Sequence, residues 1–185
     1  MRLFVAVNFS AEARDAIQSA IDRFPVRDPP WRWVGPENWH LTIKFLGETK
    51  EAQADAVIAA LETIAARHHA FDMTLGPFGG FPNLRSPRVL FYHIERGAHE
   101  LERLANDADQ AIEHAIGLPR ETRRFHAHAT VARVKDRLPP DMSSRLALVP
   151  ALTDAVTRVD GFDLMESRLR RTGAVYSVVK EFALA

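Results

Sequence analysis

The sequence predicts an α+β fold with two lobes, each a small, mainly antiparallel sheet with helices packed outside it, flanking a central cleft. Three observations predict it. Strand-like runs follow one another through hairpin-like connections, which argues against a doubly wound parallel sheet. Each half of the chain carries one long amphipathic or alanine-rich helical run. The pattern His-x-Thr-x occurs twice, once in each half, and both copies lie inside strand-like runs: His40-Leu41-Thr42-Ile43 and His128-Ala129-Thr130-Val131.

The elements follow in order. Leu3 to Val7 reads as a short buried strand, and Ser10 as the N-cap of a helix from Ala11 to about Phe24. Asp28-Pro29-Pro30 breaks the chain. Trp31 to Val34 is a short strand, Gly35-Pro36 a turn, and Trp39 to Leu46 the first motif strand. Glu48 to His68 has the Ala/Glu content and spacing of a helix. Phe71 to Leu75 and Arg88 to Glu95 read as strands joined by a Gly/Pro-rich connection, Gly76 to Asn83. Glu100 to Ile116 is a helix with an apolar stripe at Leu101, Leu104, Ala108, Ala111, Ile112 and Ala115, and Gly117 stands at its C-cap. Asp107 and Asp109 read as surface residues of that helix. The second motif strand covers His126 to Val134. Pro139-Pro140 and Pro150 bracket a short helical stretch. Ala155 to Arg168 and Ala174 to Leu184 read as two strands joined through Arg170-Arg171-Thr172-Gly173. The whole of residues 1–185 is taken as one two-lobed domain.

Composition narrows the function classes. With 46% hydrophobic and 26% charged residues, the 185-residue chain can bury a sizeable core. Lys plus Arg equals Asp plus Glu at 24 each, so a strongly cationic nucleic-acid coat is not indicated. The absence of cysteine excludes disulfides, thiolate catalysis and thiolate metal sites, and fits a reducing compartment. The first ten residues are too short in apolar length for a spanning helix and lack a signal-peptide layout, so a cytoplasmic protein with no membrane partner is expected.

The chemistry lies in the paired motifs. In an extended strand residues i and i+2 share a face, so each copy sets an imidazole beside a hydroxyl. Two imidazoles on one cleft can serve as general base and general acid in the same reaction. Thr42 and Thr130 can donate to phosphate oxygens where charge builds. Lys44 shares the parity of His40 and Thr42 and is a candidate for phosphate binding. Arg133 has odd parity from His128, so only a bulge or a strand end would bring it into the cleft. Phe45 also has the opposite parity and is expected in the core. Trp31, Trp33 and Trp39 are candidate stacking platforms, weighed against packing roles. Arg120, Arg123, Arg124 and Arg168, Arg170, Arg171 form two basic clusters that could track an RNA backbone. His126 and His128 have metal-compatible spacing, but no HExxH or Asp-rich partner pattern accompanies them, so neither a metal nor another cofactor is expected. His68 and His69 are placed against the dipole of a helix end.

Beyond the motifs, Arg2-Leu3-Phe4-Val5-Ala6-Val7, His40 to Gly47, Phe78 to Pro82, Pro87-Arg88-Val89-Leu90 and the tail residues Leu164, Ser167, Leu169, Gly173, Tyr176 and Phe182 resemble the two-histidine (2H) phosphoesterase superfamily. The likeness is to its bacterial and archaeal RNA 2′,3′-cyclic phosphodiesterase (2′-5′ RNA ligase-like) branch. One departure is Ala127, where that branch often has proline. The resemblance implies the 2H fold and metal-independent opening of a 2′,3′-cyclic phosphate to a 2′-phosphomonoester. It further implies His40 as the acid toward O3′, His128 as the base toward water, and 2′-5′ ligation as the reverse reaction. The residues alone leave the acid and base assignment open. RNA with a cyclic phosphate end, or a small nucleotide, is the implied partner, and a monomer the default state. The different-class alternative is a non-catalytic module that only holds RNA or nucleotide phosphate.

Overall fold

The computed structural model describes residues 1–24, 26, 28–171 and 173–185. The strands are β1 (Arg2–Asn8), β2 (Trp31–Trp33), β3 (His40–Glu48), β4 (Phe71–Phe81), β5 (Val89–Ile94), β6 (His128–Val134), β7 (Leu152–Val159), β8 (Gly161–Arg170) and β9 (Gly173–Ala183). The helices are α1 (Ala11–Asp22), α2 (Glu51–Ala65), α3 (Ala98–Ile116) and the short α4 (Met142–Leu146). Two antiparallel sheets result, in the orders β3-β1-β8-β9 and β2-β6-β5-β4-β7. The α+β reading and the two-sheet plan therefore hold.

Local chemistry accounts for the helix limits. The Ser10 hydroxyl accepts the Ala13 N–H at 3.2 Å and caps α1. Gly117 closes α3 in the left-handed region at φ 69°, a conformation glycine adopts at no steric cost. The stripe Leu101, Leu104, Ala108 and Ile112 is buried, and α2 packs against α3. One apolar core includes β1, β3, β5 and β6 residues from both sheets together with these helices.

Two segments depart from the sequence reading. The Gly/Pro-rich run after Leu75 is not a loop: β4 continues through it to Phe81, with a bulge opposite β5 at Gly76 and Pro77, a position where proline costs no ladder bond. The expected single strand from Ala155 to Arg168 is two strands. The chain leaves one sheet at Asp160 and joins the other at Gly161, where a Cβ would sit 2.6 Å from the Phe182 carbonyl oxygen. In the β8–β9 turn, Thr172 lies outside the described residues. Among the described residues, no helix is long and apolar enough to cross a membrane.

Candidate active site

His40 opens β3 opposite Asn8 of β1. Its ring rests on Phe4 (centroids 5.0 Å apart) and is met edge-on by Tyr176 of β9 at 5.1 Å. Ala6, the small residue opposite Thr42, leaves space on that face. The imidazole is hydrogen-bonded to the Asn38 backbone, which a short 3₁₀ turn at Pro36–Asn38 presents to it. Arg14 of α1 pins the turn by donating to the Pro36 carbonyl, and its Nε donates to the Phe9 carbonyl at 3.2 Å.

His128 opens β6 opposite His93 of β5. Its Nδ1 lies 2.6 Å from the His126 carbonyl oxygen. A neutral ring that donates Nδ1–H to that carbonyl keeps a lone pair on Nε2 for the cleft. Phe91 packs edge-on to it at 5.1 Å, and Phe81, exposed on the rim, lies 6.3 Å away. His93 and His126 complete the cluster, 5.0 Å apart by ring centroid. Gly79 makes this packing fit, because a Cβ there would sit 2.6 Å from His93 Nε2. Among the described residues, no group of three or more His, Asp or Glu is arranged to hold a metal ion.

The two motif strands share a device that parity arguments overlook. In β3 the pairing with β1 skips Ile43, and in β6 the pairing with β5 skips Val131. Each bulge follows the motif threonine directly and inverts the alternation beyond it. Both strands consequently show the same sequence of exposures: half-buried His, buried, half-buried Thr, two buried residues, then an exposed one. Lys44 and Ala132 turn into the core; Phe45 and Arg133 turn out onto the cleft faces.

This corrects four expectations. Lys44 does not accompany His40 and Thr42. It is 4% exposed, and its Nζ lies 2.5 Å from Asp109 Oδ1 and donates to the Pro119 carbonyl at 3.2 Å. Asp109 is in turn not a surface residue but the buried partner of that lysine. Phe45 is 68% exposed, beside Phe4, rather than in the core. Arg133, set aside on parity, stands on the His128 and Thr130 face. The cleft brings its charge to bear on His40.

Electrostatics favour neutral rings in the free protein. Burial pushes His40 down from 6.5 to about 4; the Asn38 hydrogen bond opposes this, while the charges of Arg14, Arg133 and His128 add to it. His128 is lowered as well, first by burial, against the pull of the His126 carbonyl and with the help of His126's charge. His93 is lowered by burial and then by its two histidine neighbours. β3 and β6 make direct contact, which brings the two motif strands together.

A model of the family described as LigT like Phosphoesterase matches residues 7–91 and 94–176. The chain belongs to the LigT-like phosphoesterase family. A Thermus thermophilus relative named RNA 2′,3′-cyclic phosphodiesterase is 34% identical over 100% of this chain and 90% of its own length. A solved Thermus thermophilus protein superimposes with a TM-score of 0.81 at 33% identity, covering 100% of this chain and 98% of that one. E. coli LigT solved with 3′-AMP gives a TM-score of 0.79 at 27% identity, covering 99% and 97%. The same neighbour has been solved with NADP⁺, ATP and phosphate.

The remaining candidates of this LigT-like phosphoesterase sort by packing. Trp31 and Trp39 are buried, and Trp33 packs edge-on to Trp31 and Phe24, so none is an open stacking platform. Arg120, Arg124 and Arg168 pair with Asp109, Glu102 and Glu166. His68 pairs with Asp107 across α2 and α3 at 2.9 Å rather than with a helix dipole alone. His126 entered the sequence reading only as a possible metal ligand; its spacing of two sets its ring 5.9 Å from that of His128. The β5–β6 register brings His93 directly opposite His128.

Proposed function

We propose that this phosphoesterase hydrolyses RNA 2′,3′-cyclic phosphate ends to 2′-phosphomonoesters with two histidines and no metal. The observation that carries the reading is the matched geometry of β3 and β6: each presents an imidazole tied to its own backbone and a threonine on one cleft. The names of the relatives supply the substrate class.

His128, neutral, takes the proton of the attacking water through Nε2. Phosphorus forms a bond to that oxygen and loses O3′. His40, protonated, delivers its proton to O3′, following the family's assignment. Thr42 and Thr130 donate to the non-bridging oxygens as their charge grows. Lys44 takes no part. With a 5′-hydroxyl in place of water, the same ring opening with loss of O3′ yields a 2′-5′ linkage, and mass action sets its extent against cleavage of that linkage.

Incubating the purified protein with a cyclic-phosphate oligonucleotide in EDTA is expected to give undiminished turnover and a 2′-phosphate product. Loss of turnover in EDTA, restored by a divalent metal, would refute the mechanism.

The histidine environments set the pH dependence. At neutral pH the free enzyme holds His40 unprotonated, since its value lies near 4. A bound phosphate anion favours imidazolium and raises it. The kcat/KM profile, which reports free enzyme, is expected to peak on the acid side of 6.5, and the kcat profile at higher pH. A flat profile from about pH 5 to 8 is incompatible with paired acid–base work.

A further inference from the structure

The bulge that turns Arg133 outward also brings it against a second arginine. Arg32 of the edge strand β2 is directly opposite Arg133 in the β2–β6 ladder. Trp31 and Trp33, on either side of Arg32, pack inward, so Arg32 occupies the same face as Arg133. Residues directly opposite in an antiparallel pair carry their Cβ atoms about 4.5–5.5 Å apart, and like charges there destabilise the ladder. Both side chains are exposed, and among the described residues neither has a carboxylate partner at ion-pair distance. An unneutralised cross-strand arginine pair at the edge of a phosphate-handling cleft is a site for an anion that bridges both guanidiniums.

We propose that Arg32 and Arg133 form a clamp for the phosphodiester on the 5′ side of the terminal nucleotide, making the substrate an oligonucleotide end rather than a free cyclic mononucleotide. This rests on the reaction proposed above. Arg133 lies between the scissile group and Arg32: it is close enough to influence His40, whereas Arg32 is one strand further out, on the sheet edge. That order matches a strand whose terminal phosphate sits between the imidazoles and whose next phosphate lies toward β2. The second phosphate supplies the negative charge that the ladder lacks.

The test compares wild type with Arg32→Gln, which keeps most of the side-chain stem beside the tryptophans. Two substrates are used: a nucleoside 2′,3′-cyclic phosphate with a free 5′-hydroxyl, and a dinucleotide ending in the same cyclic phosphate. The ratio of kcat/KM for dinucleotide over mononucleotide is expected to fall about tenfold in the variant. The salt slope of log kcat/KM on the dinucleotide is expected to shrink by about 0.7, the loss of one single-strand phosphate contact. An unchanged ratio, whether both substrates suffer equally or neither does, overturns the clamp. Binding of a dinucleotide 2′-phosphate, read by calorimetry, decides the clamp independently of turnover. If wild type cleaves neither substrate, the proposed reaction falls; if affinity still drops about tenfold in Arg32→Gln, the clamp stands.

Discussion

Alanine at His128 is expected to lower kcat on a cyclic-phosphate oligonucleotide by about 10²–10⁴-fold, and alanine at His40 by a similar factor. The effect should fall on kcat more than on KM, because proton transfer matters in the transition state and little in the ground state. The double variant should lose less than the product of the two losses, since each ring is useful only while its partner works. Folding should survive both changes. His128 is half-buried against Phe91 and Phe81, and His40 against Phe4 and Tyr176, so alanine opens a hollow at a wet cleft rather than in the core. Steady-state kinetics beside a thermal melt settle the matter. Near-wild-type kcat in either variant with an intact melt would remove the two-histidine mechanism. Retained tight binding of product by both inactive variants would separate catalysis from phosphate binding.

Much of this site was legible because strand parity is a local property. His40 with Thr42, and His128 with Thr130, need only two residues of regular strand to share a face. The helices were legible for a similar reason: Ser10, Gly117 and the α3 stripe act within a turn or two. What lies beyond each threonine was not legible, because the bulges at Ile43 and Val131 arise from pairing with β1 and β5. One inserted residue flips every later side chain, which is why regular alternation puts Lys44, Phe45 and Arg133 on the wrong face. A signal was present: Ile43-Lys44 and Val131-Ala132 stand at equivalent places after the two motifs. The switch between sheets at Gly161 was hidden for another reason. The close approach of the Phe182 carbonyl involves a strand about twenty residues away, and glycine alone does not announce which backbone approaches it.

The buried Lys44–Asp109 pair makes the second large prediction, and it separates a structural lysine from a phosphate-binding one. Replacing Lys44 with methionine keeps the stem's packing but leaves the Asp109 carboxylate without its nearest cation. Removing one partner of a buried pair costs about 3–5 kcal/mol. Asp109 keeps the Glu121 N–H at 3.0 Å and the half-exposed Arg120 at 3.5 Å, so the low end, about 3 kcal/mol, is expected. For a chain of this size that corresponds to a fall in Tm of about 6–12 °C. Adding Asp109→Asn should recover part of the loss, because it removes the uncompensated charge while an amide oxygen can still accept from Glu121. Asp109→Asn alone should also destabilise, since it strands the ammonium of Lys44 beside the Pro119 carbonyl. The kinetic consequence runs the other way from a phosphate ligand's. At a temperature where Lys44→Met is fully folded, KM and kcat should stay within a few-fold of wild type, because the side chain never reaches the cleft. A large loss of kcat/KM with an unshifted melt would mean that Lys44 leaves Asp109 to meet the substrate, and that the bulge at Ile43 does not hold its inward register in solution.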